Sequence, residues 1–152
     1  MIPQKAIEKA FANVCQLTGF MGRWMVTGQS PTVICDAGHN AGAWRLQSQQ
    51  LAALACNHLH MVLGFAADKD VATVLSMMPK DVTYYFTQAQ SSRSMPAPTL
   101  QALGIEHELR GASYSKVIDA YNAAKEAAEP DDVIFVGGSF YVLGELFSQL
   151  NA

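Results

Sequence analysis

Cysteine is scarce in this 152-residue chain, which has three, and no two of them form a Cys-x-x-Cys pair. An odd number of widely spaced cysteines argues against a disulfide framework and against a zinc cage, and it favours reduced thiols. Long apolar runs are also absent: no stretch approaches the roughly 18 residues of a membrane span. The first residues lack the apolar core of a signal peptide. The sequence therefore predicts a cytoplasmic protein with no membrane partner.

Positive charge and phosphate-binding glycine patterns are missing as well. Ten basic and 13 acidic side chains give a net charge of −3 and a pI near 5.7, and no basic block stands out. A nucleic-acid partner is therefore not expected. Neither G-x-G-x-x-G nor G-x-x-x-x-G-K-[ST] occurs. If a nucleotide binds, this chain supplies only part of its site.

The chain does have apolar residues, which make up 50% of it against 15% charged. A chain of about 150 residues suits one domain and buries roughly two-thirds of its unfolded surface, so it needs no covalent crosslinks. Short apolar runs predict strands over residues 24–27, 32–35, 60–65, 82–86 and 133–138, with a weaker candidate at 105–109. The first two runs flank a Gly-Gln-Ser-Pro segment that predicts a hairpin.

Helical spacing of apolar residues separates these runs. It predicts helices over residues 3–17, 41–56, 71–78, 114–124 and 143–150, the third of them capped by Asp70. Short strands alternating with helices imply parallel pairing through right-handed crossovers. We therefore expect an α/β, Rossmann-like fold: a mostly parallel sheet of about six strands with helices on both faces. Residues 88–99 are the loosest stretch.

Ligands of such sheets bind outside the carboxyl ends of the strands, and Asp36 follows a strand there. Its carboxylate can hold ribose hydroxyls or a metal-bound water, and His39 and Asn40 stand where a helix begins, which favours an anion. The alternative is a structural turn in which Asp36 caps the next helix and His39 is exposed. Residue types alone do not separate the two interpretations.

Two further strand ends carry polar groups. Lys69 is a compact cation suited to a carboxylate or phosphate, although it can equally belong to a solvated loop whose only role is the cap at Asp70. Gly137 and Gly138 let backbone N–H groups converge, and Ser139 opens the last helix, so this segment can bind a carboxylate without a charged side chain.

Other polar residues are ambiguous. Arg23 and Arg93 are either phosphate-binding forks or surface arginines. His58 and His60 have the spacing of a metal pair but lack a nearby third ligand, so no metal site is expected in this chain.

Five motifs occur in order, namely GRW at 22–24, DAGHN at 36–40, G-x3-DKD at 64–70, the loop around Arg93 and GGSFYVLGE at 137–145. This set resembles the C-terminal domain of bacterial folylpolyglutamate and dihydrofolate synthases, in the Mur ligase superfamily of ATP-dependent amide-bond ligases. The resemblance implies that residues 1–20 are the end of a central domain and its linker helix. It makes residues 21–152 the C-terminal Rossmann-like ligase domain.

The resemblance also implies a two-step ligation. ATP, with Mg²⁺, phosphorylates a folate side-chain carboxylate, and the amine of L-glutamate then displaces phosphate. By the same resemblance Arg23 and Asp36 contact ATP, the first at the phosphates and the second at the ribose. His39, Lys69 and Ser139 hold the glutamate, and His39 lines the reaction centre as the candidate catalytic residue.

The family's central domain, with its phosphate loop and magnesium ligands, is not in this chain. We therefore expect an excised domain or half of a split enzyme, inactive alone and working with an N-terminal ATPase domain in cis, as a monomer. Whether folate, dihydropteroate or both receive the glutamate stays open. The alternatives are a stand-alone, non-catalytic module that binds an acidic small molecule, and a sister ligase that adds an amino acid to a peptidoglycan precursor.

Overall fold

The computed structural model describes residues 24–28, 30–67 and 70–150, and within them six strands alternate with five helices. The strands are β1 (Met25–Gly28), β2 (Thr32–Asp36), β3 (Leu59–Leu63), β4 (Thr83–Phe86), β5 (Gly111–Ser113) and β6 (Val133–Gly137). The helices are α1 (Ala41–Ala52), α2 (Val71–Ser76), α3 (Ala97–Glu106), α4 (Val117–Ala127) and α5 (Phe140–Leu150).

The strands form one sheet in the order β1-β2-β6-β3-β4-β5. Strand β1 is antiparallel to β2, and every other neighbouring pair is parallel. The last strand of the chain therefore lies between β2 and β3, which are consecutive in sequence. The strand order reverses at this point, and such a reversal opens a crevice at the carboxyl ends of the strands.

Alternating side chains of the strands build two cores, one on each face of the sheet. In β6, Val133 and Phe135 point to the face covered by α1, α2 and α3, whereas Ile134 and Val136 point to the face covered by α4 and α5. Because both faces are buried, all five residues of β6 are buried and no polar alternation is seen. The predicted Rossmann-like sheet with helices on both faces is confirmed.

The expected strand over residues 105–109 is wrong. Ile105 lies in α3, exposed on its outer side, and the strand comes later, as Gly111–Ser113. The helix is easily missed because Pro96 is its N-cap residue and Pro98 follows within the first turn. Prolines are tolerated there, since the first N–H groups of a helix have no intrahelical partner.

The other elements follow the sequence more closely. The hairpin of β1 and β2 is confirmed. Helix α1 ends at Ala52 rather than continuing to residue 56, and Asp70 caps α2 by accepting a hydrogen bond from the Thr73 amide at 3.3 Å. The helix predicted over residues 3–17 lies outside the described residues, as does the boundary proposed near residue 20. Among the helices of the described ranges, none is long and apolar enough to cross a bilayer.

Candidate functional site

The carboxyl ends of β2, β6 and β3 converge on two glycines. Gly137 is in register with Asp36 on one side and Leu63 on the other. A Cβ on Gly137 would lie 2.2 Å from the Asp36 carbonyl oxygen, and one on Gly138 would lie 2.4 Å from that of Gly64. Gly138 also has a φ of 99°, which disfavours other residues. The glycine pair thus allows three strand ends to meet.

Asp36 is the polar centre of this crevice, and it is buried. Its Oδ2 accepts from the Trp24 amide at 2.8 Å, and its Oδ1 accepts from the Gly38 amide at 2.8 Å and from Gln47 Nε2 at 2.7 Å. The carboxylate therefore links the start of β1, the turn after β2 and helix α1. The alternative in which Asp36 caps α1 is wrong, because the cap is Asn40, whose Oδ1 accepts from the Ala43 amide at 2.8 Å.

Gln47 belongs to this cluster, although the sequence assigned it no role. The residue is 4% exposed. Its amide lies against the turn, so that a Cβ on Gly38 would be 1.8 Å from Gln47 Nε2. Trp44, three residues earlier on the same face of α1, donates from Nε1 to the Gly38 carbonyl at 2.9 Å. The sequence signal for this contact was the helical spacing of Trp44 and Gln47 in the segment that follows the DAGHN motif.

His39 lies beside the start of α5. Its Nδ1 is 3.2 Å from the Ala37 carbonyl oxygen, and its ring centroid is 5.9 Å from that of Phe140, the first residue of α5. The side chain is half-buried rather than exposed. The structure therefore brings His39 near Ser139, which precedes Phe140 in the chain.

Ser139 is buried and caps α5. Its Oγ accepts from the Tyr141 amide at 3.0 Å and from the Val142 amide at 3.4 Å. Both contacts use the oxygen as acceptor, so the hydroxyl proton can still be donated. A hydroxyl donor at the positive end of an 11-residue helix is complementary to a carboxylate.

The loop around Arg93 is held against the segment that follows β3. The Ala67 amide donates to the Arg93 carbonyl at 2.8 Å, and Ala66 forms an antiparallel bridge with Ser94. The Arg93 side chain is exposed. This loop was the loosest stretch of the sequence, yet its backbone is paired beside the G-x3-DKD segment.

Helix α5 also holds that loop, through a residue to which the sequence assigned no role. Glu145 Oε2 accepts from the Gln90 amide at 2.8 Å, and Gln90 Nε2 donates to the Ser115 carbonyl at 2.8 Å. The helix that begins at Ser139 thus also fixes the start of the loop that carries Arg93.

Two predicted site residues, Arg23 and Lys69, lie outside the described residues, and their roles stay predictions. The amide of Trp24, which follows Arg23 in the sequence, donates a hydrogen bond to Asp36. Asp70, which follows Lys69, caps α2. Within the described residues, no group of three or more His, Cys, Asp or Glu side chains is arranged to hold a metal ion.

The histidine pair belongs to a network at the opposite, amino end of the strands. His60 Nδ1 is 2.9 Å from the Tyr85 hydroxyl, and His60 Nε2 is 3.0 Å from Asp132 Oδ2. Asp132 also accepts from the Glu129 amide at 2.9 Å. That backbone hydrogen bond, followed by the hydrogen bond from His60, lowers the pKa of Asp132. His58 Nε2 lies 2.7 Å from Thr83 Oγ1.

Comparison with known families gives a match to "Mur ligase, glutamate ligase domain" over residues 22–140. Two curated relatives are a dihydrofolate synthase/folylpolyglutamate synthase of Escherichia coli K12 and a probable bifunctional folylpolyglutamate synthase/dihydropteroate synthase of Haloferax volcanii. The first is 30% identical over 86% of this chain and 31% of its own length. The second is 32% identical over 95% of this chain and 17% of its own length. The chain therefore spans less than a third of the length of each of these two relatives.

Solved structures agree with the fold. Escherichia coli FolC in complex with DHPP and ADP superposes with a TM-score of 0.77 at 30% identity, covering 86% of this chain and 31% of that one. A bifunctional folylpolyglutamate synthase/dihydrofolate synthase with Mn, AMPPNP and L-glutamate bound has a TM-score of 0.76 at 29% identity, covering 86% of this chain and 32% of that one.

Proposed function

We propose, since the chain belongs to the family of Mur ligase glutamate ligase domains, that it is the C-terminal domain of an ATP-dependent ligase. This ligase would add L-glutamate to folate or dihydropteroate, and one relative of the chain is named a dihydrofolate synthase/folylpolyglutamate synthase. The observation that carries the proposal is the crevice where three strand ends meet at Gly137. Asp36, His39 and Ser139 all lie around it, within the matched segment.

The reaction would proceed through an acyl phosphate. A carboxylate oxygen of the acceptor takes the γ-phosphoryl group of ATP and ADP is released. The glutamate nitrogen then bonds to the acyl carbon, loses a proton and displaces inorganic phosphate. When bound with ATP, Mg²⁺ would neutralise phosphate charge. The described residues offer no ligand set for it, so its ligands would come from the rest of the ligase.

In this scheme the chain binds and orients the substrates. Arg23 would contact the phosphates and Asp36 the ribose, whereas Lys69 and Ser139 would hold the glutamate carboxylates. Ser139 has a hydroxyl proton to donate at the start of α5, which supports this role. His39 stands next to that helix and would line the reaction centre. Bringing amine and acyl phosphate together in a closed site removes much of the entropic barrier and excludes water.

The test uses the full 152-residue chain, alone and fused after the part of the Escherichia coli relative that it does not span. We expect glutamate-dependent phosphate release from the fusion and none from the chain alone, because the phosphate loop is missing from this sequence. Isothermal titration of the chain with ATP and with glutamate tests the alternative of a non-catalytic binding module. A folded fusion without turnover, or turnover by the chain alone, would contradict the proposal.

A further inference from the structure

Gln47 has a hydrogen bond on only one side of its amide. The side chain is 4% exposed, and Nε2 donates to Asp36 Oδ1 at 2.7 Å, but Oε1 is buried without a hydrogen-bond partner among the residues that the structure describes. The orientation of the amide follows from chemistry, because an ionised carboxylate only accepts and must face the nitrogen. Buried acceptors without partners are rare in folded proteins because they cost free energy. The unpartnered Oε1 of Gln47 accompanies the hydrogen bond that Nε2 donates to Asp36.

The surroundings of Gln47 are shaped for this contact. A side chain at position 38 would displace the Gln47 amide, because a Cβ there would lie 1.8 Å from Gln47 Nε2. Side chains on a helix lean toward its N-terminus, so Trp44 and Gln47 both reach back over the turn that precedes α1. Trp44 fixes the main chain of that turn at the Gly38 carbonyl, and Gln47 fixes the Asp36 carboxylate.

We infer that Gln47 is a positioning residue for the nucleotide half of the site: it sets the orientation in which the Asp36 carboxylate meets the ribose of ATP. This inference rests on the proposed function. In this scheme Gln47 acts on the nucleotide only through Asp36, to which its amide donates. The backbone donors Trp24 and Gly38 remain when Gln47 is changed, so the carboxylate stays in place but loses the side-chain donor that Gln47 supplies to Oδ1.

The first variant is Gln47→Met in the fused protein described above. Methionine has a similar length and removes the donor together with the unpartnered oxygen, so the melting temperature should stay near that of the wild type. We expect the KM for ATP to rise by up to about tenfold, because a less well oriented Asp36 carboxylate binds the ribose more weakly, with kcat and the KM for glutamate little changed. The matched control is Gln49→Met, two residues further along α1 and exposed.

The second variant, Gln47→Glu, gives a pH signature. Burial and the neighbouring Asp36 carboxylate raise the pKa of the introduced carboxyl, and above that pKa it has no proton to donate and repels Asp36, so the KM for ATP should be high at alkaline pH. As the pH falls toward about 5, a growing fraction of the introduced carboxyl groups is protonated and donates to Asp36, and the KM should approach that of the wild type. Gln49→Glu should show no such recovery. A purely structural role would give the same acid recovery in the melting temperature and in both KM values, whereas a positioning role gives it in the KM for ATP alone.

The outcomes separate the two claims. A wild-type fusion without glutamate-dependent turnover overturns the proposed function and the inference with it. An active wild type in which Gln47→Met behaves like Gln49→Met overturns the inference alone. A common rise of both KM values together with a lower melting temperature also overturns it, because Gln47 would then only stabilise the fold.

Discussion

The two ends of the parallel sheet carry buried polar clusters with different hydrogen-bond balances. At the amino end, His60 uses both ring nitrogens, one toward the Tyr85 hydroxyl and one toward Asp132. With a neutral imidazole, the tyrosine proton points to Nδ1 and the Nε2 proton to Asp132, so each donor has an acceptor. At the carboxyl end, Gln47 has a buried oxygen without a partner, and the Ser139 hydroxyl keeps a proton to donate.

This difference separates stability from function. A buried network in which every polar group is satisfied specifies the fold and leaves nothing for a ligand. Groups with unused hydrogen-bonding capacity cost free energy in the folded chain, and proteins keep them where a ligand or a reacting group is held. We therefore expect mutations at the amino end to change the free energy of unfolding and mutations at the carboxyl end to change binding.

The largest effect is expected from His60→Leu at the amino end. The substitution leaves the Asp132 carboxylate and the Tyr85 hydroxyl buried without the partner they share, which costs about 1–3 kcal/mol of unfolding free energy for each group. Urea denaturation of the 152-residue chain measures it. His107→Leu is the control, since His107 lies at the end of α3, away from this network. A loss below about 1 kcal/mol would show that the network adds little stability.

The next largest effect is expected at the carboxyl end of the sheet, on the KM for glutamate. Lys69→Ala in the fusion should raise the KM for glutamate at least about tenfold, because a charge-assisted hydrogen bond contributes about 1.5–3 kcal/mol. Ser139→Asp keeps an acceptor that caps α5 but replaces the hydroxyl proton with a negative charge. It should therefore leave the melting temperature near that of the wild type while glutamate binding is lost.

Ser139→Ala is the comparison variant, since it removes the cap and costs about 1 kcal/mol of stability but adds no repulsion, so its effect on glutamate should be smaller. Lys69 and Ser139 would be assigned to the wrong ligand if these variants weakened ATP binding and left glutamate unaffected. Unchanged constants for both substrates would support the interpretation of Lys69 as a solvated loop cation.

The strands and the motif residues at their ends could be predicted from the sequence, but the side-chain contacts between distant residues could not. Continuous apolar runs such as 133–138 indicate buried strands, because both faces of the sheet are covered. Asp36 and Ser139 could be placed at the carboxyl edge of the sheet because they lie at or just after the ends of such runs. The hydrogen bond between Gln47 and Asp36, which are 11 positions apart in sequence, could not be predicted, because it depends on how α1 packs over the turn at Gly38. The His60–Asp132 contact spans 72 positions and depends on β6 entering between β2 and β3.

Local patterns also misled where a helix begins with prolines. The Pro-Ala-Pro-Thr segment is typical of a loop, and only the burial of Leu100 and the contact of Gly104 with the Phe86 ring show why a helix forms there. Tertiary packing stabilises α3, because most helical stability in proteins comes from a buried face rather than from propensity.

The smallest effect is a difference in acid sensitivity between Asp132, at the amino end, and Asp70, which caps α2 beyond the carboxyl end of β3. Hydrogen bonds hold the pKa of both carboxyls below the ordinary value near 3.8, for Asp132 chiefly that from the Glu129 amide and for Asp70 chiefly that from the Thr73 hydroxyl. A carboxyl whose pKa is lower in the folded state contributes stability that is complete above the unfolded pKa and is lost as the pH falls through the folded one.

Both carboxylates should therefore favour folding above about pH 4 and lose that contribution on acidification below it. Asp132→Asn, which keeps an acceptor for Glu129, should flatten the fall in unfolding free energy between about pH 5 and pH 3. Asp70→Asn should flatten it less, because this exposed carboxylate acts at a single helix cap while Asp132 also holds the buried His60. Urea titrations at closely spaced pH values measure both slopes. An equal change in the two variants would mean that the hydrogen bond to His60 adds nothing to the acid stability of the amino end, and that the contrast between the two ends of the sheet does not extend to pH.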